Sequence, residues 1–248
     1  AVYVRDYHPP DATMTKFPGR WRYEDEWPVK RTDYQEWLAQ PDKRLSRQQA
    51  EETSHFMTYK ASLGLEGGGP TMWWGSIPPD QQPMDDHSLV YDSDPLVEPL
   101  EILGRPIAKL RVSADTTRAN WVVRISDVAP DGQVTQVTGA AFNGTHRYSA
   151  RDPEDLVPNE VFPLEIKMHL TSWVFPPGHR IRVAISNSMW PMLWPTPTPF
   201  KSTLMIGGDG GARIQLPVIP PEQPRVPEFK LPVTGPRLQG FETLDAGN

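Results

Sequence analysis

Residues 161–198 read VFPLEIKMHLTSWVFPPGHRIRVAISNSMWPMLWPTPT, and their pattern decides the fold. Leu164, Ile166, Met168 and Leu170 alternate with Glu165, Lys167 and His169. A period of two puts one set of side chains on a buried face and the other in water, as in a strand over 164–170. Pro176-Pro177-Gly178 then interrupts the run with fixed φ angles followed by a residue free to take φ > 0. Ile181, Val183 and Ile185 alternate with Arg180, Arg182 and Ala184 and predict a second strand of the same kind. Two amphipathic strands joined by a short turn belong to an antiparallel sheet with one solvated side.

The rest of the chain agrees with this texture. Its 248 residues suffice for one large β domain or two small ones with a real core. Twenty-nine prolines in 248 residues are roughly 12%, against a usual ~5%. That density disfavours long helices and favours short strands with stiff connections. Net charge is −6, with a pI near 5.5 and a mean hydropathy of −0.53, which argues against nucleic acid or an anionic membrane as partner. No stretch approaches the ~18 apolar residues of a membrane span. The start, AVYVRDYHPP, lacks the basic and apolar regions of a signal peptide. With no cysteine, the fold has neither disulfides nor thiolate chemistry, which suits a reducing, cytoplasmic setting.

The pattern divides the chain into three regions. Residues 1–54 are an irregular lead-in arm with Trp21 and Trp27, and 31–54 hold the best helical candidate, YQEWLAQ and LSRQQAEE, interrupted at Pro41. Residues 55–219 carry strands over 55–60, 89–91, 100–103, 107–112, 121–125, 134–141, 203–206 and 214–218, besides the pair above. Pro130-Asp131-Gly132 marks a hairpin, and Gly67-Gly68-Gly69-Pro70 a turn. Short strands at this spacing fit a β-sandwich or jelly roll. Residues 220–248 form a Pro-rich tail without room for a ladder of its own.

Chemistry is harder to find. There is no G-x-S-x-G, and Gly75-Ser76 lies in a Trp/Pro-rich loop with no following helix. The six histidines show no metal-like spacing; His169 falls on a polar strand face and His179 in a turn, both read as exposed or locally bonded. Asp92 and Asp94 are weak Ca²⁺ candidates, more simply read as turn residues at the first sandwich strand. Gly207-Gly208-Asp209-Gly210-Gly211 lacks a P-loop ending and reads as a hairpin end. No cofactor is implied. The aromatic group Trp173, Phe175, Trp190 and Trp194, mixed with prolines 191, 195, 197 and 199, stands apart. It suits core packing, contact with another domain, or the wall of a ligand cleft.

Four segments carry a family resemblance: GRWRYEDEWP (19–28), PDQQPMDDHSLVYDSDPLVEPLEILG (79–104), VVRISDVAPDGQVTQVTGAAFNGTHRY (122–148) with its D-V-x-P-D-G turn, and LEIKMHLTSWVFPPGHRIRVAISNSMWP (164–191) with V-F-x-P-G-H-R. In that order they resemble the C-terminal, non-catalytic β domain of the X-Pro dipeptidyl-peptidase and cocaine-esterase class of serine hydrolases. The resemblance spans about residues 19–219. It implies an all-β, jelly-roll, galactose-binding-like sandwich attached to an α/β-hydrolase domain that carries the Ser-Asp-His triad. No position here matches that triad, so the chain as given is expected to have no catalysis of its own. In such proteins the β domain packs on the hydrolase core and helps wall its cleft. Trp173, Trp190 and Trp194 are then the expected contact residues, with Phe175 in the core and His179 and Arg180 supporting the turn. The long Pro-rich tail departs from the short ending usual in the family. A free-standing carbohydrate- or peptide-binding module is the rival reading, and a subunit that drives homo-oligomerisation a third.

Overall fold

A chain that alternates apolar and polar residues over short, proline-punctuated runs satisfies its backbone in sheets. A computed structural model of the protein describes residues 1–68 and 78–220. The Gly69-Pro70 half of the predicted turn, Gly75-Ser76 and the tail beyond Pro220 lie outside the described residues. In chain order the strands are β1 (Val2–Arg5), β2 (Gly19–Arg22), β3 (Asp33–Ala39), β4 (Leu45–Ser46), β5 (Thr53–Thr58), β6 (Leu89–Asp92), β7 (Leu100–Gly104) and β8 (Ile107–Ala114). They continue as β9 (Asn120–Val128), β10 (Val134–Asn143), β11 (Phe162–Lys167), β12 (Thr171–Phe175), β13 (Arg180–Ser186), β14 (Lys201–Ile206) and β15 (Arg213–Val218). A single helical turn, α1 (Gln82–Asp85), precedes β6. Among the described residues no helix is long and apolar enough to cross a membrane.

The strands form an antiparallel β-sandwich. The smaller sheet has the order β10-β9-β13-β6. In the larger sheet β8 gives one edge to β11 and divides the other between β14 and β15. Strand β15 in turn gives its far edge to β3. Partners shared in this way curl the sheet around the core. Trp121, Val123 and Ile125 of β9 meet Leu110 and Val112 of β8, Leu164 and Ile166 of β11 and Leu204 of β14 in one cluster. The Trp121 and Phe162 rings cross edge to face at 5.5 Å. The predicted hairpin is present: Val134 pairs with Val128, and Gly132 takes φ 91°.

Three expectations are corrected. The strands on either side of Pro176-Pro177-Gly178 do not form one hairpin. Strand β11 belongs to the larger sheet and ends at Lys167; after it the chain turns, burying Met168 and leaving Leu170 exposed. A further strand, β12, pairs with β7, and the Pro-Pro-Gly turn then carries the chain across to the other sheet, where β13 lies between β9 and β6. Nor is 31–54 helical: β3 aligns six residues with β15, from Asp33↔Val218 to Leu38↔Arg213. An available sheet edge outweighs the modest helix propensity of YQEWLA. The lead-in arm is also partly ordered, with β1 and β2 pairing over four positions.

Candidate docking face

Strand β9 is buried on both sides, which a sandwich with one wet face does not require. Trp121, Val123 and Ile125 face the core, while Val122, Arg124 and Ser126 alternate onto the outer side. A second layer covers that outer side. Leu63, Met84, Val122 and Met189 cluster there, with Ala141, Met192 and Leu193 packed against them. Beside this cluster the Arg124 guanidinium is fully buried. It donates to Gln81 Oε1 at 3.0 Å, to Asp85 Oδ1 at 2.7 Å and to Ser88 Oγ at 3.3 Å. The other oxygen of Asp85 accepts from Arg182 at 3.1 Å, and Arg182 forks onto both oxygens of Asp92 at 2.7 Å each. Burial pushes the Asp85 carboxyl up, with Arg124 and Arg182 pulling it back. Burial also opposes the charge on Arg182, but Asp92 and Asp85 outweigh it and raise its pKa. The Gln81 side-chain amide closes the brace by donating to the carbonyls of Gly67 and Pro79 at 3.1 and 2.7 Å.

On this layer rests the loop 187–200. Trp190 N–H donates to Leu63 O at 2.7 Å, and Leu193 N–H to Met189 O at 2.9 Å. Asn187 bridges Asn120 O and the Ser202 hydroxyl. Tyr59 donates to Thr196 O at 2.8 Å and stacks on Phe200. Gly64, at φ +128°, allows the approach, because a Cβ there would sit 2.2 Å from Trp190 O. The tethered loop holds Trp194 in water at 81% exposure, with the Trp190 ring edge to face against it at 5.3 Å. A neighbouring groove of about 470 Å³ runs between β10, the 169–171 segment and Met189, Met192 and Leu193. An indole fixed in solvent beside an apolar groove has the form of a docking anchor.

The sequence-predicted residues therefore separate. Trp190 and Trp194 come together on this face, whereas Trp173 is fully buried elsewhere. Its Nε1–H donates to Asp127 Oδ2 at 2.8 Å, and His179 Nδ1 meets the other oxygen at 2.7 Å. Trp173, Asp127 and His179 thus fasten the corner where the chain passes from β12 to β13. His179 is buried there, not exposed in its turn. Burial pushes the Asp127 carboxyl up, with the indole and imidazole donors holding it partly back. Phe175 is in the core and His169 is exposed. Asp92 is committed to Arg182, and among the described residues no group of three His, Cys, Asp or Glu side chains is placed to hold a metal ion. Arg124 and Gln81 escaped the sequence reading. Their signal was a lone arginine inside the apolar run WVVRIS, which in a fully buried strand demands a buried acid.

Comparison with known proteins agrees with this architecture. Residues 4–215 match the family model of the X-Pro dipeptidyl-peptidase C-terminal non-catalytic domain. A Mycobacterium bovis protein named as a serine esterase is 27% identical over 243 residues, covering 86% of this chain and 38% of that protein. Cocaine esterase of Rhodococcus sp. is 33% identical over 116 residues, covering 46% and 20%. The chain spans about two-fifths or less of the length of these curated relatives. Among solved structures, an aminopeptidase from a marine sediment Thaumarchaeota archaeon superposes with TM-score 0.72 at 25% identity, covering 81% of this chain and 39% of that one. An α-amino acid ester hydrolase shares the fold at TM-score 0.66 and 24% identity, covering 75% and 36%. With its sandwich and 212-residue span of agreement (4 through 215) in place, the chain belongs to the X-Pro dipeptidyl-peptidase C-terminal non-catalytic domain family.

Proposed function

We propose that this chain is the accessory domain of a serine hydrolase that cleaves esters or Xaa-Pro peptides. Its face around Trp190 and Trp194 packs on the α/β-hydrolase catalytic domain and helps wall the active-site cleft. The observation that carries this reading is Trp194: 81% exposed, yet mounted on a loop tied down at Leu63, Asn120 and Tyr59. A tryptophan left in water on a flexible loop would have little consequence. One held rigid has already given up the entropy that binding would otherwise cost. The family's non-catalytic description and the relatives named as esterases support an esterase or peptidase as the partner. In this role the domain excludes water and fixes the geometry of a pocket whose Ser-Asp-His triad lies outside this chain.

The test is to express the catalytic domain of the parent hydrolase separately and titrate it with residues 1–248. A saturable complex that Trp194→Ala weakens, together with a rise in ester turnover on binding, supports the proposal. Turnover of a p-nitrophenyl ester by the pure chain, or calorimetric binding of saccharides or peptides at Trp194 with no affinity for the hydrolase, would reject it.

A further inference from the structure

Strand β1 ends on Arg5, and that side chain lines two grooves. One is the groove of about 470 Å³ beside Met189, Met192 and Leu193. The other, of about 350 Å³, is walled by Val2, Leu103 and the exposed Trp27. Thr171 and the exposed Leu170 join Arg5 in lining both.

The fully buried arginines each meet an acid, Arg22 on Glu24 and Glu101 and Arg124 on Asp85. Arg5 does not, although it is drawn far enough inward that burial lowers its pKa. Its Nε–H donates to Ser172 O at 3.3 Å, and Nη2 donates to Val137 O at 3.2 Å and Thr171 Oγ1 at 2.8 Å. All three acceptors are neutral. The guanidinium lies over the Trp173 ring, 5.1 Å from its centre. The acids close by in the fold are spent, Asp6 on Arg20 at 3.3 Å and Glu101 on Arg20 and Arg22. None of the described residues lining the two grooves is a carboxylate, and Arg5 Nη1 keeps its N–H groups unbonded. A cation pinned by neutral partners in an apolar recess calls for an anion. The larger groove also holds an unused acceptor, since Gln136 Oε1 is buried in it without a hydrogen bond.

Placement defines the ligand. Its carboxylate has to sit with an apolar groove on either side, and a donor has to reach Gln136. A fatty acid carries its charge at one end and offers no N–H. In an extended peptide, side chains two residues apart share a face. A segment of the pattern apolar-x-acidic-x-apolar therefore puts the charge in the middle, and its backbone amides supply the donor.

We propose that the two grooves bind an extended acidic segment of another protein. Its carboxylate meets Arg5 Nη1, one apolar side chain enters each groove, and a backbone N–H donates to Gln136 Oε1. The inference stands apart from the hydrolase reading.

The test is isothermal titration of residues 1–248 with the capped peptide acetyl-Leu-Ser-Glu-Ser-Leu-amide, beside the same peptide with Gln in place of Glu. The Glu peptide should bind about tenfold more tightly, the worth of one hydrogen bond to a charged group. Arg5→Met should erase that difference. Because Arg5 also ties β1 to β12, a variant at the exposed Leu170 carries the same test without touching the fold. Leu170→Glu sets a carboxylate in the shared lining and should weaken the Glu peptide by about tenfold, whereas Leu170→Gln should weaken it far less. Equal affinities for the two peptides, a preference for Glu that survives Leu170→Glu, or no saturable heat at about 1 mM peptide would overturn the proposal. So would octanoate competing as well as the peptide, which would make the grooves a site for small acids. A dimer in sedimentation that Leu170→Glu dissociates would also overturn it, by giving the grooves to a second copy.

Discussion

Replacing Asp85 with alanine should be the most damaging single truncation in the layer that covers the smaller sheet. The Arg124–Asp85 pair is sealed: the two side chains are 0% and 1% exposed. Asp85→Ala leaves the Arg124 guanidinium with the neutral oxygens of Gln81 and Ser88. Arg182 loses less, because both its bonds to Asp92 remain. Stranding one charge of a buried pair costs about 3–5 kcal/mol. For a protein of this size each kcal/mol lowers the melting temperature by about 2–4 °C, so thermal unfolding followed by circular dichroism should shift down by about 6–20 °C. The companion variant separates charge burial from lost packing. Asp85→Leu with Arg124→Met removes both charges and should recover all but the about 1–3 kcal/mol of the Gln81 oxygen left without its donor. A single variant within about 1 kcal/mol of the parent would refute the brace. So would a double variant as unstable as the sum of its singles.

Trp194→Ala should do the opposite: unfolding changes by less than about 0.5 kcal/mol, as for exposed positions in general, while affinity for the separately expressed catalytic domain falls by about 2–4 kcal/mol, read as a shift in Kd by isothermal titration. Gly64→Ala brings a Cβ to 2.2 Å from Trp190 O at φ +128° and should destabilise by about 2 kcal/mol or more, with altered Trp190 fluorescence. Burial lowers the pKa of His55, whose Nδ1 accepts from the buried Tyr91 hydroxyl while Nε2–H donates to Pro41 O. Since the folded value lies below the unfolded ~6.5, the histidine's contribution is complete above pH ~6.5 and is lost as pH falls through the folded pKa. Melting temperature should therefore drop more steeply on acidification in the parent than in His55→Gln; parallel curves would refute the assignment.

How far the sequence spoke depends on the range of the interaction. Period-two alternation is local, so the inward pair Leu164 and Ile166 and the hairpin at Pro130-Asp131-Gly132 were legible from neighbours alone. Strand partners are not local. The run YQEWLAQ carries no sign of β15, which lies some 180 residues away, and its helix propensity was the loudest signal available. Trp173 misled for a related reason. The proline-rich surroundings suggested an exposed ring, but burial was decided by Asp127, 46 residues earlier, which satisfies the indole N–H in the interior. The two turn motifs that carried the family resemblance, D-V-x-P-D-G and V-F-x-P-G-H-R, prove to be parts of one contact, since Asp127 of the first holds His179 of the second.

That contact and the Arg124 brace bear on why the outer face of the smaller sheet is built from charges at all. An all-apolar second layer would bury the same area without the desolvation cost of Arg124, Asp85 and Arg182. Apolar side chains pack in several ways at similar energy, however, whereas a guanidinium shared among Gln81, Asp85 and Ser88 tolerates few. A docking face needs the second property more. If Trp194 is to meet a partner without reordering, the layer beneath must have one arrangement, and Gln81 transmits that arrangement to the carbonyls of Gly67 and Pro79, on either side of residues 69–77. Stability and docking should then be separable: Asp85→Leu with Arg124→Met should regain most of the lost melting temperature, yet bind the catalytic domain more weakly than the parent. Recovery of both together would mean that the charges serve folding alone.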